Sequence, residues 1–323
     1  IGKELKEKFP AMTKDEYDAL HLDGARRMAK HLDGFAKKMS KEIKIGCIGC
    51  GMMGGALIKA IAKKVGGEKI LLSDGDVEKA KSLALELGAN FATSNAQIIE
   101  NCSHIILAVK PAFFPSVLEQ IKDSYNNIAK SEQKNLPVMI SIMAGLSIEK
   151  IEQMSIQAGI SGGLQNILRL MPNLPATVNE GMIALCTKEN VSSEISQEVE
   201  FVKEILSCAG KVEQVSEKLM DVVTAVSGSG PAYGFMFIEA LADAAVLLGM
   251  PRSQAYIYAA QTLKGAAQMV LETSEHPAKL KDAVCSPGGT TIQAVKSLEE
   301  KGFRSAVISA VESAYNKSVD LGK

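Results

Sequence analysis

Tryptophan is absent from the 323 residues of the chain, and all aromatic residues together make up only 5% of it. Proteins that stack nucleobases or sugars need exposed aromatic rings, so this scarcity argues against such a surface. An excess of one charge is also absent, because 36 basic residues face 37 acidic ones and the formal net charge is −1. We therefore expect no nucleic acid among the partners of this protein.

Long hydrophobic runs are also missing. The most apolar helix candidate, Ala232–Met250, is interrupted by Glu239 and Asp243, and no run of 18 apolar residues occurs. We therefore expect no transmembrane span and no association with a membrane, and nothing at the start is typical of a secretory signal peptide. Hydrophobic residues make up 46% and charged residues 23%, which is typical of a soluble, folded protein.

Cysteines are too scattered for the disulfide framework of a small secreted domain, and we expect a cytoplasmic protein. The pair Cys47 and Cys50 has the spacing of a redox or zinc motif. No second pair completes a tetrahedral site, and Cys47 belongs to an apolar strand candidate, so we expect no metal. The six cysteines are at positions 47, 50, 102, 186, 208 and 285.

The length of the chain predicts two domains. Residues 1–42 are rich in charge with loosely helical apolar spacing, and we expect a helical N-terminal extension there. From Ile43 onward, short apolar strands alternate with amphipathic helices, which predicts parallel βαβ units and a doubly wound α/β domain over residues 43–214. The predicted strands are Ile43–Ile48, Lys69–Leu72, His104–Val109, Val138–Ile142 and Ile167–Leu170. The predicted helices are Met53–Val65, Val77–Leu87, Ala112–Ser124 and Ile148–Ala158.

Beyond this region the strand signals stop, and helices punctuated by Gly-Pro turns predict an all-helical domain over residues 215–323. Its helix Ala232–Leu248 is apolar almost all round, so its whole circumference needs cover. A helical domain of this size provides little cover alone, and we therefore expect an obligate homodimer through it.

A glycine-rich loop, Gly49-Cys50-Gly51-Met52-Met53-Gly54, follows the first strand and opens a helix. Gly49 permits a tight turn, Gly51 lets the backbone approach a diphosphate, and Gly54 allows close packing of helix on strand. The alternative is a glycine turn without a ligand, but this strand–turn–helix context predicts a Rossmann-like dinucleotide-binding domain. The expected cofactor contacts here are Ile48, Gly49, Cys50, Gly51, Met52, Met53 and Gly54.

Two further segments are expected to contact the cofactor. Ser73 and Asp74 end the second strand about 20 residues after the loop, where the adenosine ribose of a dinucleotide lies. No arginine follows Asp74, which favours NADH, yet Ser73, Asn95 or main-chain groups would also accommodate NADPH, so both cofactors stay open. The second segment, Ala108-Val109-Lys110-Pro111, ends another strand, although Lys110 alone could be a surface charge.

A second glycine-rich loop, Ser286-Pro287-Gly288-Gly289-Thr290-Thr291, precedes a helix near the C-terminus. Unpaired N–H groups at a helix start, together with two hydroxyls, suit a small carboxylate. An ordinary helix cap is the alternative, but a single Ser or Thr suffices for that. We therefore expect an anion site.

These loops, in this order, resemble the pyrroline-5-carboxylate reductase family. The resemblance extends over residues 43–320 and departs at Leu174, where the family pattern MPNTP has a threonine, and in the extension 1–42. The other shared segments are Ala108-Val109-Lys110-Pro111, Ala144-Gly145, Met171-Pro172-Asn173, Ser227–Tyr233 and Gly302-Phe303-Arg304.

The resemblance implies hydride transfer from NADPH or NADH to the C=N bond of 1-pyrroline-5-carboxylate, giving proline. It places the Thr291 hydroxyl near the ring nitrogen, as the catalytic candidate, and implies homodimers that assemble into larger rings. Glu217 either contacts the nicotinamide side or is a solvated carboxylate at a helix start. The resemblance makes Ser286, Gly289, Thr290 and Thr291 contacts of the cyclic imine carboxylate, and Met143 and Ala144 cofactor contacts.

Two other functions compete with this one. A β-hydroxyacid dehydrogenase also joins such a glycine loop to a helical domain, but it uses a lysine as acid and base. Lys264 and Lys281 lie in ordinary helical surroundings, and no lysine-centred motif matches. A non-catalytic dinucleotide sensor would not need the second glycine-rich loop, and turnover of a substrate separates it from an enzyme.

Overall fold

A computed structural model describes residues 43–131, 135–189 and 192–322 of the chain. The predicted helical extension over residues 1–42 lies outside the described residues. The strands are β1 (Ile45–Ile48), β2 (Ile70–Ser73), β3 (Asn90–Phe91), β4 (His104–Leu107), β5 (Val138–Ser141), β6 (Ile167–Met171), β7 (Gly181–Cys186) and β8 (Gly210–Gln214). They form one sheet in the order β3-β2-β1-β4-β5-β6-β7-β8, parallel from β3 through β6.

Helices cover both faces of this sheet. They are α1 (Met52–Val65), α2 (Val77–Leu87), α3 (Asn95–Asn101), α4 (Phe114–Ala129), α5 (Ile148–Gln157) and α6 (Ser193–Leu206). One buried cluster joins the sheet to α1, α2 and α6, and the other joins it to α3, α4 and α5. The doubly wound Rossmann-like fold is therefore confirmed.

The sheet has three strands that the sequence pattern did not predict. β3 has two exposed residues, too few for a periodic signal. β7 follows β6 after a short 3₁₀ turn, Leu174–Val178, which is too short for a crossover, so β7 runs antiparallel to β6. β8, with the sequence Gly-Lys-Val-Glu-Gln, is largely polar, and within the described part of the chain it is an edge strand that pairs in parallel with β7.

After β8 the described chain is helical throughout, as predicted. The elements are α7 (Met220–Val223), α8 (Gly230–Leu247), α9 (Arg252–Thr273), α10 (Pro277–Ala283), α11 (Thr290–Glu300) and α12 (Phe303–Gly322). α8 packs on α9 through the small buried side chains Ala242, Ala255 and Ala259. Large apolar side chains stay exposed, among them Phe235, Met236, Leu247, Leu248 and Ile257.

One helical run among the described residues, Glu217–Leu247, is long and apolar enough to cross a membrane by length and composition alone. Almost none of its most apolar segment is buried within the single chain. Because a helix that packs against a partner subunit passes the same test, one such run is weak support for a membrane span.

Tyr125 on α4 offers a test of the second core cluster. Its ring is fully buried, and its hydroxyl oxygen accepts the backbone N–H of Gln165 at 2.9 Å. We expect Tyr125→Phe to lower the free energy of unfolding by about 1 kcal/mol, because this donor loses its partner. Urea denaturation measures the effect. Tyr315→Phe, at a side chain that is 39% exposed, is the control. An equal loss of unfolding free energy in both variants would contradict a stabilising role for the Tyr125–Gln165 hydrogen bond.

Candidate active site

The glycine loop lies at the carboxyl edge of the sheet, where the strand order reverses on either side of β1. The loop is tied to both neighbouring strands: the Gly49 N–H donates to the Ser73 carbonyl, and the Ala108 N–H donates to the Ile48 carbonyl, each at 2.8 Å. In open α/β sheets the ligand crevice forms at this reversal. The segments that follow β1, β2 and β4 therefore meet there, as the sequence predicts.

The three glycines of the loop have different surroundings. Gly49 has a φ of +104°, and a Cβ atom there would lie 2.6 Å from the Ala108 carbonyl oxygen. A Cβ atom at Gly54 would collide with the Gly49 carbonyl oxygen and the Ala108 side chain. At Gly51, by contrast, a Cβ atom would meet nothing within 4 Å. The first and third glycines therefore serve packing, whereas the second faces open space that a ligand can enter.

The start of α1 is built differently from those of several other helices of the sheet. Asp76, Ser94, Ser147 and Ser192 each accept a backbone N–H with their side chains at the starts of α2, α3, α5 and α6. The N-cap of α1 is Gly51, and among the described residues no side chain caps that helix. Its first N–H groups can therefore bind an anion, and this helix start fits the diphosphate of a dinucleotide.

The predicted ribose contacts lie together beside the loop. Asp74 accepts the Cys50 N–H at 2.6 Å and the Asp76 N–H at 2.9 Å. The Ser73 hydroxyl donates to the Asn95 side-chain oxygen at 2.7 Å, and the Asn95 amide donates to Gln120 at 2.7 Å. Sequence reasoning did not find Gln120, because a glutamine on an amphipathic helix gives no signal of its own.

The remaining predicted cofactor contacts also follow strands at this edge. Lys110 is exposed and precedes the short 3₁₀ helix Pro111–Phe113 after β4. After β5, Met143 is buried, with its N–H donating to the Ser141 hydroxyl at 3.3 Å, while Ala144 is exposed. These positions place the two segments beside the crevice.

The two cysteines of the loop support its backbone. The Cys47 thiol donates to the Gly49 carbonyl at 3.3 Å, and the Cys50 thiol donates to the Ser73 carbonyl at 3.6 Å. Burial, followed by the charge of Asp74, raises the pKa of Cys50 to about 12, and burial raises the pKa of Cys47 well above its usual value. Because the thiolate is the reactive form, these raised pKa values disfavour a reactive role for either thiol at neutral pH.

A cavity of about 470 Å³ opens beside the glycine loop, between α1 and α2. Its wall includes Cys50, Gly51 and Met52 of the loop, together with Lys59 and Lys79, and none of its lining residues comes from the helical part of the chain. Lys59 is paired with Glu86 at 2.7 Å. Sequence reasoning did not single out Lys79, which is one exposed lysine among many.

The second glycine-rich loop lies before α11 in the helical part. Its internal turn is made by Gly288, with a φ of +68°, and by the Gly289 N–H, which donates to the Ser286 carbonyl at 3.1 Å. Gly289 is the N-cap of α11, and no side chain in the described part of the chain caps this helix. Thr290 and Thr291 open the helix without acting as its cap, so their hydroxyls and the first N–H groups can bind a ligand.

Glu217 lies at the junction of the sheet and the helical part. One oxygen of its carboxylate accepts both the Ile148 N–H at 2.8 Å and the Arg169 guanidinium at 3.0 Å. The side chain is therefore engaged within the protein, and its contact with a nicotinamide stays a prediction. Arg169 is the one basic residue in the apolar strand β6. It could have predicted an acidic partner from the sequence, because a buried arginine requires one.

Comparisons with known proteins cover most of the chain. The family model "Pyrroline-5-carboxylate reductase dimerisation" matches residues 217–321, and "NADP oxidoreductase coenzyme F420-dependent" matches residues 44–145. Pyrroline-5-carboxylate reductase of Escherichia coli K12 is 43% identical over 284 residues, which cover 87% of this chain and 99% of that protein. The chain belongs to the pyrroline-5-carboxylate reductase family. The enzyme of Methanosarcina acetivorans is also 43% identical, over 282 residues that cover 87% of this chain and 98% of that protein.

Solved structures of family members share the fold. The Plasmodium falciparum pyrroline carboxylate reductase, solved with NADP bound, aligns with a TM-score of 0.71 and 35% identity, over 87% of this chain and 98% of that one. The Coxiella burnetii pyrroline-5-carboxylate reductase aligns with a TM-score of 0.75 and 32% identity, over 88% of this chain and all of that one. Membership in this family favours the reductase over a β-hydroxyacid dehydrogenase.

The glycine loop generates a prediction that separates ligand binding from packing. We expect Gly51→Val to weaken NADH and NADPH binding by at least about tenfold while the fold persists, because its side chain enters open space at a φ of −66°. Isothermal titration calorimetry measures the affinity, and urea denaturation the stability. Gly54→Val is the matched variant and should lower the free energy of unfolding by about 1–3 kcal/mol through its collisions. Unchanged cofactor affinity in Gly51→Val would disprove the assignment of the loop.

Proposed function

We propose that the chain reduces the C=N bond of 1-pyrroline-5-carboxylate with a hydride from NADPH or NADH, giving L-proline. The observation that carries this proposal is the 43% identity to the Escherichia coli reductase over 284 residues. Both glycine-rich loops fall within the family region, and both precede helices that no side chain caps. Each loop can therefore receive an anionic group.

The Rossmann-like region would hold the cofactor. When bound, the nicotinamide supplies the hydride for the imine carbon. The N–H groups at the start of α1 would bind the diphosphate, Asp74 and Asn95 would lie at the adenosine ribose, and Glu217 would reach the nicotinamide side. The full set of proposed cofactor contacts is Ile48, Gly49, Cys50, Gly51, Met52, Met53, Gly54, Ser73, Asp74, Asn95, Ala108, Val109, Lys110, Pro111, Met143, Ala144 and Glu217.

The second glycine-rich loop would hold the substrate. The N–H groups of the first turn of α11 and the hydroxyls of Thr290 and Thr291 are donors for its carboxylate, together with Ser286 and Gly289. The Thr291 hydroxyl would hydrogen-bond the ring nitrogen and, when the imine arrives unprotonated, relay a proton to it from solvent water. One hydride on carbon and one proton on nitrogen complete the reduction. A strong acid is not needed, since the imine can arrive protonated.

We propose that the helical region forms a homodimer and that dimers assemble into larger rings in the cytoplasm, with no membrane involved. The dimerisation model over residues 217–321 and the exposed apolar side chains of α8 support the dimer. Residues 43–214 would form one domain and residues 215–323 the other. The end of β8 at Gln214, just before the 3₁₀ turn Glu217–Leu219, supports this boundary.

Oxidation of NADPH and of NADH with 1-pyrroline-5-carboxylate as the acceptor tests the proposed reaction directly. We expect turnover that depends on the imine, with L-proline identified as the product by chromatography. Folded protein that binds a cofactor without turning over the imine would contradict the reductase and favour a dinucleotide sensor.

Thr291 generates a prediction about the substrate site. We expect Thr291→Ala to lower kcat/KM for the imine by about 10–100-fold, because a hydrogen bond to a charged group is lost. Cofactor affinity should stay within about twofold, because Thr291 lies outside the cofactor loop. Thr291→Ser keeps the hydroxyl and is the matched control, expected to retain most of the activity. Equal losses of imine turnover and cofactor affinity would contradict the assignment.

Phe235 generates a prediction about the dimer. Its side chain on α8 is 56% exposed in the single chain. We expect the native protein to sediment as a dimer or a larger assembly, and Phe235→Glu to shift it towards monomers, because a charge would be buried in the interface. Analytical ultracentrifugation measures both. A monomeric native protein would rule out the proposed dimer.

A further inference from the structure

The Asn173 side chain joins the turn after β6 to the first turns of the helical region. We propose that Asn173 is a positioning residue for the reaction, because it holds the π-helical turn Thr224–Gly228, here called the π turn, at the nicotinamide side of the crevice. This inference rests on the proposed reduction, since its expected effect is on the rate of that reaction. Asn173 is not among the cofactor and substrate contacts proposed above.

Asn173 is buried, and both ends of its amide bond to groups of other segments. Its Oδ1 accepts the Met182 N–H at 2.9 Å, which ties it to the start of β7. Its Nδ2 donates to the Ser227 carbonyl at 3.1 Å and to the Ser227 hydroxyl oxygen at 3.3 Å. Only this orientation of the amide gives an acceptor to one backbone group and a donor to the other. The side chain is therefore fixed in one position between β7 and the π turn.

The π turn has five residues, Thr224–Gly228, and it precedes α8. The Ser229 N–H donates to the Thr224 carbonyl, five residues back, at 2.9 Å. The Tyr233 hydroxyl supports the turn from α8 by donating to the Ala225 carbonyl at 3.4 Å, and α12 packs against it. Turns of this kind are rare in proteins and occur frequently at functional sites.

The sequence explains why the π turn needs a donor from outside its own helix. In a continuous α-helix the Ser227 carbonyl would accept the N–H of the residue four positions later. That residue is Pro231, which has no N–H to donate. The Asn173 Nδ2 supplies the missing donor from the sheet. Without it, the carbonyl loses this partner and the π turn is free to shift relative to β6.

The π turn lies at the edge of the sheet where the nicotinamide would lie. β6 runs parallel to β5, so Asn173 follows β6 at the same edge at which Met143 and Ala144 follow β5. Gly228 packs on the end of β6, since a Cβ atom there would lie 2.8 Å from the Met171 Cε. A dinucleotide that crosses the reversal of strand order, with its adenosine at β2, extends its nicotinamide towards β4 and β5. The π turn would therefore border the nicotinamide.

A small displacement of this border is costly for hydride transfer. The nicotinamide and the imine must meet at roughly 3–3.5 Å, and a misplacement of about 1 Å can lower the rate about 100-fold. Binding of either molecule uses many other contacts, so it depends less on this one turn. Loss of the Asn173 donor should therefore reduce kcat more than it weakens cofactor binding.

Asn173→Asp breaks the bonds to Ser227 and keeps an oxygen that accepts the Met182 N–H. We expect kcat for the imine to fall about 10–100-fold, while KM for the cofactor stays within about threefold. Steady-state kinetics with the full-length protein measures both constants, and urea denaturation measures the free energy of unfolding.

Asn126→Asp is the matched control, because Asn126 forms the same kind of bridge at the opposite edge of the sheet. Its Oδ1 accepts the Ser161 N–H at 2.9 Å, and its Nδ2 donates to the Gly159 carbonyl at 3.0 Å. This variant should lower the free energy of unfolding, because a donor is lost, but keep kcat within about twofold of the native value.

The pH dependence of kcat gives a second readout. The carboxyl group of Asn173→Asp can donate to the Ser227 carbonyl only when it is protonated. We expect the deficit in kcat relative to the native protein to shrink at least about threefold from about pH 8 to about pH 5, because burial favours the neutral carboxyl. A deficit that stays constant over this range would contradict the role of the donor.

The outcomes separate this inference from the proposed function. Native kcat in folded Asn173→Asp, or an equal loss of kcat in Asn126→Asp, would overturn the inference while native turnover upholds the reductase. If the buried charge prevents folding, Asn173→Ala and Asn126→Ala give the same comparison without it, under the same criteria. A native protein that does not reduce the imine would overturn both the proposed function and this inference.

Discussion

The close backbone contact between the loops after β1 and β4 is the constraint on which the proposed cofactor site depends. Gly49 and Gly54 leave no room for a side chain, because the Ala108 backbone and side chain lie against them. This contact holds the start of α1, which has no side-chain cap among the described residues, at the reversal of strand order. The same geometry leaves Gly51 facing open space. Gly49 and Gly54 therefore allow close packing, and Gly51 leaves room for a ligand.

The helical region is limited by how little apolar surface it buries within a single chain. α8 and α9 pack through alanine side chains, which bury little area, and leave large apolar residues such as Met236 and Leu247 exposed. Burying such a side chain contributes about 1.5–3 kcal/mol, so covering several of them with a second copy of the chain would strongly favour association. The helical region also contains the second glycine-rich loop, so the proposed dimer would stabilise the part of the chain that holds this loop.

Sequence reasoning succeeded where a local pattern carries the physical cause. The five predicted strands and four predicted helices lie within a few residues of the observed ones, because their apolar periodicity matches the two buried faces of one sheet. The packing roles of Gly49 and Gly54 were also predictable from the sequence, since a positive φ or a close contact demands glycine. β7 and β8 were not predicted, because an antiparallel turn and a polar edge strand carry no βαβ signal.

Hydrogen-bond partners that lie far apart in the chain could not be predicted from the sequence for a related reason. No sequence pattern predicts that Glu217 contacts Arg169, 48 residues away, or the Ile148 N–H, 69 residues away. These bonds exist because the fold brings a buried arginine in β6 and the start of α5 to the first turn of the helical region. The Lys150 ammonium also donates to the Gly322 carbonyl at the end of α12, at 3.0 Å. Both ends of the helical region are thereby attached to α5, next to the Met143–Ala144 segment.

This attachment has a consequence for the proposed reaction. Hydride transfer needs the nicotinamide and the imine at reacting distance, on the order of 3–3.5 Å. The proposed cofactor contacts of the sheet and the second glycine-rich loop belong to separate parts of the chain, so their spacing depends on how the helical region is fixed to the sheet. The Glu217 carboxylate is half of an ion pair with a buried arginine, and such a pair loses much of its energy when its geometry is disturbed. The Arg169–Glu217 ion pair therefore fixes the orientation of the helical region relative to the sheet. The proposed hydride transfer depends on that orientation, because it sets the distance between the two glycine-rich loops.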